Sequence, residues 1–347
     1  MKNREITFVG IEYPPRCGGA GIILSDINKI GRYNVIYPKW TSNITLPKVK
    51  IVLQILELFL RILFSKKTTA IYINDDVTLI ALSCTKIIKI YQNVGFYCHG
   101  VAHLRSKSLF ATVLLQLMSQ QKLSLFTNSH YTKQALIDLG VTNEPIVVHP
   151  FLRAVFENFS DNCLPHKCEC RYKLKFIYFG RLEENKGVLN VISFFRLINS
   201  HVKNSSLTIV GSGRLYDDIR TQIDGDEHIH LMSEKYDLEL VKIISEHDVL
   251  VHLPNVDESF GMTIIEAMSL GLDVYTWNKG GIIEACVKGG RSFYLHESDS
   301  IDKLSDAALN FIFSLNEYKG IELRPIYLNS RSFTSTIKNE ILGNARV

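Results

Sequence analysis

Apolar positions along this chain alternate between two rhythms. Short runs rich in β-branched and aromatic residues, "EITFVGI", "YNVIYP", "TTAIYIND", "NVGFYCHG", "SLFTNS" and "EPIVVHP", read as strands. Between most of them lie stretches with apolar residues at helical spacing, such as "IILSDINKIG". A polar, cysteine-bearing stretch, "ENFSDNCLPHKCECRYK" (Glu157 to Lys173), breaks the pattern and reads as a linker. The alternation then restarts, with "LKFIYFG", "SSLTIVGSG", "HIHLM", "HDVLVHLP", "GLDVYTW" and "RSFYL" as strands. This βαβ order predicts an α/β protein with two doubly wound, Rossmann-like parallel sheets. The expected division is residues 1–156, a linker over 157–173, and residues 174–325, with a C-terminal helix within 326–347 packing back on the first domain. Two such domains predict a ligand cleft between them, facing the carboxyl ends of both sheets.

Composition narrows the function classes. At 347 residues the chain suits two domains of roughly 150 residues each. Its 46% hydrophobic and 21% charged content is that of a globular, soluble protein rather than a disordered one. A net charge of +4 is too small to argue for nucleic acid, yet it suits an anionic ligand or an anionic membrane surface. The N-terminal "MKNREITFVGIEYPP" lacks a signal-peptide core, and no uninterrupted apolar run reaches the roughly 20 residues of a spanning helix. Seven cysteines, an odd and mostly scattered set, suggest free thiols in a reducing compartment, so a cytoplasmic address is expected.

Three loops carry candidate chemistry. In "YFGRLEENKGVLNVI" a strand ends at Phe179, a loop opens at Gly180-Arg181, and Lys186-Gly187 leads into an apolar-periodic helix. Such a junction presents backbone N–H groups and the positive end of a helix. Arg181 adds a bidentate fork and Lys186 a point charge, which together fit a diphosphate; two solvated charges in a surface loop would read the same way. The N-terminal "PPRCGGAG" puts Gly18, Gly19 and Gly21 between the first strand and the first helix, where small residues let backbone approach a ligand. It matches neither the dinucleotide G-x-G-x-x-G nor a P-loop. In "DESFGMTIIEAMSLG" Glu258 precedes a helix and Glu266 lies in its first turns. Helix capping accounts for the first acid only. The second sits in an apolar run and needs a partner, which the hydroxyls of a sugar nucleotide would supply.

Taken jointly, these motifs resemble the large retaining glycosyltransferase family four, whose members have the GT-B fold. "ESFGMTIIEAMSLG" looks like that family's E-x7-E signature, "YFGRLEENKG" like its diphosphate loop, and "PPRCGGAG" like its glycine loop. "YCHG" is similar to its histidine site and "NKGGIIE" (Asn278 to Glu284) to its G-G-x-x-E turn. The resemblance implies that Arg181 and Lys186 bind the donor diphosphate, Glu258 the hydroxyls of the transferred sugar, and Glu266 the ribose. It implies too that His99 contacts the donor sugar near the reacting carbon, that Gly19 offers backbone to the phosphate, and that Gly211 and Gly213 lie near the nucleotide. Gly18, Ser259, Phe260 and Gly261 complete the implied donor-binding set.

The implied reaction is transfer of a sugar from a nucleotide-diphosphate sugar, with UDP or GDP expected, to a saccharide acceptor that is lipid-linked. Retention, no metal, no cofactor and a place in bacterial surface polysaccharide synthesis go with it. A sugar-nucleotide epimerase of the same fold and a catalytically silent nucleotide-sugar binder are the rival readings. Two departures, "HPFLRAVF" in place of an Asn-Gly turn and Ile283 where Pro is common, bear on hinge geometry more than on chemistry.

Other signals are weaker. Asp224-Gly225-Asp226 spells D-x-D in a polar loop, but hard-cation sites need more converging oxygens. Cys163, His166, Cys168 and Cys170 lack the paired spacing of zinc modules. His103 and His149 read as hydrogen-bonded structural residues. Two apolar stretches, Lys48 to Lys67 and Ser108 to Leu123, suit helices covering a sheet. The alternative is a helix lying in a membrane interface, where Lys and Arg meet anionic head groups.

Overall fold

The computed structural model describes residues 6–13, 19–39, 47–65, 68–160, 174–201, 204–289, 293–296, 311 and 330–343. Gly18, Lys66, Lys67, Cys163, His166, Cys168 and Cys170 lie outside the described residues. By contacts the chain divides into two units, Met1–Phe151 with Leu328–Val347, and Leu152–Tyr327.

In the first unit, strands β1 (Ile6–Val9), β2 (Asn34–Ile36), β3 (Ala70–Ile73), β4 (Asn93–Cys98), β5 (Leu123–Thr127) and β6 (Ile146–Val147) form one parallel sheet. Its order is β2-β1-β3-β4-β5-β6, so the direction of winding reverses between β1 and β3. Helices α1 (Gly19–Ile30), α2 (Pro47–Leu63), α3 (Asp76–Cys84), α4 (Leu109–Met118) and α5 (His130–Asp138) alternate with the strands. Every residue of β1, β3 and β5 is buried, which is why these strands are mostly apolar on both faces. Asp75, Ser108 and Ser129 cap α3, α4 and α5 by accepting from main-chain N–H groups of the first turn. The C-terminal helix Ser330–Gly343 packs on β4 and α1, with Phe333, Ile337 and Ile341 buried among Phe8, Tyr72 and Tyr97.

The second unit opens with α6 (Ala154–Ser160). This helix packs against two later ones, α9 (Asp237–Ser245) and α10 (Met262–Ser269). Leu152 and Phe156 are buried in that core, so the unit starts at Leu152, ahead of the boundary expected at residue 156. The first part of the expected linker is thus helix.

Strands β7 (Lys175–Phe179), β8 (Ser206–Val210), β9 (Ile229–Met232), β10 (Val249–His252), β11 (Asp273–Trp277) and β12 (Phe293–His296) make a parallel sheet in the order β12-β11-β10-β7-β8-β9. Helices α7 (Val188–His201), α8 (Tyr216–Gln222) and α11 (Ile282–Gly289) complete the alternation. Both units are therefore Rossmann-like, as the alternation in the sequence predicts. In the second, the strand order reverses between β7 and β10, and open α/β sheets bind ligands at the carboxyl ends of strands at such a reversal.

Helices α2 and α4 each bury one face, through Leu58 and Ile62 and through Leu114 and Met118. Their other faces are not covered: Val52, Leu56, Leu60, Leu63 and Phe64 are exposed around α2, and Leu109 and Phe110 at the start of α4. No helix among the described residues is long and apolar enough to cross a membrane.

Candidate functional site

The loops after β7 and β10 are stapled together by their own backbones. Gly187, at φ +68°, ends a 3-10 turn over Glu184–Lys186, and a Cβ there would run into the Leu253 carbonyl. Only glycine meets both the dihedral and the close approach. Asn190, in the first turn of α7, donates to Leu253 O at 3.0 Å and to Asn255 Oδ1 at 2.7 Å, while Asn255 N donates to Asn185 O at 3.1 Å. These contacts bring Lys186 and Glu258 together: Nζ donates to Oε1 at 2.7 Å. Asn190 was not among the expected site residues, because it follows the motif and reads as one more polar helix position.

Glu258 is fixed from below by the Gly280-Gly281 turn. Its carbonyl accepts from Gly281 N at 2.7 Å, and Gly280, at φ +64°, bridges to it where a Cβ would meet that same carbonyl. Burial pushes the Glu258 pKa up, but neighbouring His252, Lys186 and Arg181 outweigh that and hold it below the usual carboxylate value. His252, the last residue of β10, sits 3.8 Å from the same Oε1, and burial lowers its pKa to about 4. Arg181 is largely exposed and reaches Glu183 at 3.3 Å, while its carbonyl accepts from Tyr178 Oη. Gly211 and Gly213 lie against the loop that carries Arg181: Leu182 N donates to Ser212 O at 2.8 Å, and Leu215 N to Leu182 O at 3.0 Å. Ser259 follows Glu258, Phe260 is core, and Gly261 flanks the start of α10.

Glu266 has a partner from the protein itself. Arg153 Nε donates to its Oε1 at 2.6 Å, Glu266 is buried and Arg153 half-buried, and the guanidinium lies 4.6 Å from the Phe156 ring centre. The buried acid that pointed in sequence to a ligand is paired with a cation 113 residues earlier.

In the first unit, Gly19 opens α1 after β1, and Asp75, at the end of β3, ties the two loops by accepting from Ile11 N and Thr78 N at 2.8 Å each. Burial raises the Asp75 pKa to about 6 against those hydrogen bonds. His99 follows β4, with Nε2 3.3 Å from Asn74 Oδ1 and its carbonyl accepting from Asn128 Nδ2. Burial lowers its pKa to about 4, more than nearby Asp76 raises it. His103 pairs with Asp76 at 2.8 Å, and that hydrogen bond raises its pKa. His149 Nδ1 lies 3.1 Å from Asn128 O. Asp226 of the D-x-D loop faces Arg196 at 3.6 Å and accepts from His228 N.

Residues 171–319 match the family Glycosyl transferases group 1. The matched residues all lie within the second unit. CapM, the capsular polysaccharide biosynthesis glycosyltransferase of Staphylococcus aureus, is 29% identical over 159 residues, 42% of this chain and 40% of that protein. A glycogen synthase of Mycobacterium tuberculosis is 31% identical over 118 residues, 33% of this chain and 28% of the relative. The matched segments thus span well under half of these relatives' lengths. Among solved structures, Anabaena HepE in complex with UDP-glucose superimposes with a TM-score of 0.68 at 18% identity, covering 98% of each chain. All the loops joined around Lys186 and Glu258 lie inside the group 1 segment, while Arg153 lies before it.

Proposed function

We propose that the protein is a nucleotide-sugar-dependent glycosyltransferase, acting with retention and needing neither metal nor cofactor. One observation carries the reading: Lys186 and Glu258 meet at 2.7 Å from the two loops at the strand-order reversal of the second sheet. A UDP- or GDP-sugar presents two groups that such a pair can divide, with Lys186 and Arg181 taking the diphosphate and Glu258 a sugar hydroxyl. Glu266, oriented by Arg153, keeps the ribose, and the backbone of Gly211 and Gly213 is assigned to the nucleotide. The UDP-glucose held by HepE supports this choice of ligand class.

Breaking the anomeric C–O bond develops positive charge on the sugar and negative charge on the diphosphate. Preorganised cations, Lys186 and Arg181, together with the start of α7, meet the leaving charge. Retention follows from front-face attack: the acceptor oxygen bonds to the anomeric carbon on the side the diphosphate leaves, and a departing diphosphate oxygen accepts the hydroxyl proton. His99, neutral above a pH of about 4, offers sugar hydroxyls a hydrogen-bonding group rather than a charge.

The uncovered face of α2 extends the reading to the acceptor. Val49, Val52, Leu56, Leu60, Leu63 and Phe64 are exposed at helical spacing, and Lys48, Lys50, Lys66 and Lys67 flank the stripe in sequence. Apolar area with basic flanks complements an anionic lipid surface, as an interfacial helix does. The acceptor is accordingly a lipid-linked saccharide of surface polysaccharide synthesis, met at the cytoplasmic face of a membrane. A panel of UDP-, GDP- and ADP-sugars, read by nucleotide release and by thermal stabilisation, tests the core of this reading. Release from at least one donor that persists in EDTA is expected. No release and no stabilisation by any of them, or activity that EDTA abolishes and metal restores, would overturn it.

A further inference from the structure

His252 is left without a task by that reading, yet its placement is costly. Its side chain is buried, and Nε2 has no hydrogen-bond partner among the described residues. The main chain is pinned, since the carbonyl accepts from Thr276 Oγ1 at 2.7 Å. Nε2 therefore stays aimed at Glu258 Oε1, 3.8 Å away, an oxygen already occupied by Lys186 Nζ at 2.7 Å. An apolar strand residue would fill this position without stranding a buried nitrogen. A shift of under about 1 Å would bring the two atoms into hydrogen-bond range.

We propose that His252 is a positioning residue that takes hold of Glu258 when Lys186 lets go of it. The trigger is the diphosphate, whose oxygens compete for the ammonium, so the inference rests on the proposed role of Lys186. With the cation withdrawn, the Nε2–H group donates to Oε1 and keeps the carboxylate aimed at a sugar hydroxyl instead of leaving it buried and unpaired. The hand-over needs no proton transfer. Burial, with Lys186 acting in the same direction and Glu258 opposing, keeps the imidazole neutral above a pH of about 4, and a neutral ring has one N–H to give.

Lys186→Ala removes the competitor without any ligand, so it tests the hand-over directly. The His252 imidazole is followed by nitrogen-15 NMR in the full chain, through a pH titration, with and without inorganic pyrophosphate. In folded Lys186→Ala the Nε2–H proton is expected to move downfield and exchange slowly with solvent. The His252 pKa should also rise by about one unit or more, since a repelling cation is lost and a carboxylate accepts. Pyrophosphate is expected to move the wild-type ring the same way. His252→Gln, which keeps an N–H at similar reach, should retain turnover within about threefold, whereas His252→Phe should lose about tenfold at unchanged pyrophosphate affinity. An unmoved His252 signal in folded Lys186→Ala, or equal losses in the Gln and Phe variants, would overturn the proposal. If Lys186→Ala moves the ring but pyrophosphate leaves the wild type unmoved, the hand-over stands and the diphosphate assignment of Lys186 falls.

Discussion

Arg153 and Glu266 show what one buried charge asks of its neighbours. With both side chains largely out of water, removing the cation strands the carboxylate, at a cost of about 3–5 kcal/mol. Arg153→Met is therefore expected to lower the denaturation midpoint of the second unit markedly, while Arg153→Met combined with Glu266→Leu recovers most of the loss. Equal stability of wild type and single variant would show that the pair carries little. A pH effect belongs to this scale too. His99 and His252 titrate near 4 in the fold, below the ordinary 6.5, because burial disfavours their charged forms. Between those values the unfolded chain binds protons that the fold does not, so stability falls as pH drops through that window. Asp75, raised to about 6 from 3.8 by burial, opposes, because its protonation below pH 6 favours the fold. Two histidines against one carboxylate leave the folded state weaker at about pH 4.5 than at neutral pH by chemical denaturation, and His252→Gln lessens the difference. A variant with an undiminished difference would contradict this. In sequence, Glu266 was legible as a buried acid in need of a partner, but nothing in local spacing ties residue 266 to residue 153.

At the scale of elements, most of the fold was legible because parallel strands buried on both faces leave unbroken apolar runs. "LKFIYFG" and "HDVLVHLP" became β7 and β10 on that signal. Helix α6 was not legible: it is 7 residues long, "AVFENFS", and merges into a polar stretch with a linker's composition. What holds it is Phe156 packing beside α9 and α10, a contact made far along the chain. Helix α2 is the converse case. Its apolar character was evident, but whether a sheet or a membrane covers each face depends on partners distant in sequence. Exposure of Val52, Leu56 and Leu60 now separates the two faces. Each basic residue near an anionic surface contributes on the order of 1 kcal/mol, with apolar burial adding to it. The protein is expected to co-sediment with anionic vesicles at low salt and only weakly with neutral ones. Replacing Lys48, Lys50, Lys66 and Lys67 with Gln should reduce that binding and leave donor hydrolysis intact. No co-sedimentation of the wild type at low salt would remove the support for a lipid-linked acceptor.

For the whole molecule, the proposed function concentrates where topology reverses. Strand order in the second sheet puts the loops after β7 and β10 side by side, and Gly187, Asn190 and Gly280 lock them so that Lys186 reaches Glu258. The motifs that carry these residues were legible singly; their meeting was not, because Lys186 and Glu258 are 72 residues apart and come together through the β7–β10 pairing and the loop contacts that follow it. The account stands on Lys186 as the cation that receives the leaving diphosphate. Its direct test is steady-state turnover of Lys186→Ala with whichever sugar nucleotide the wild type hydrolyses, alongside the melting temperature of both proteins. Loss of one such charge-stabilising contact is worth roughly 3–4 kcal/mol, so turnover should fall about a hundredfold or more while the fold persists. Near-normal turnover in a folded Lys186→Ala protein would contradict the account.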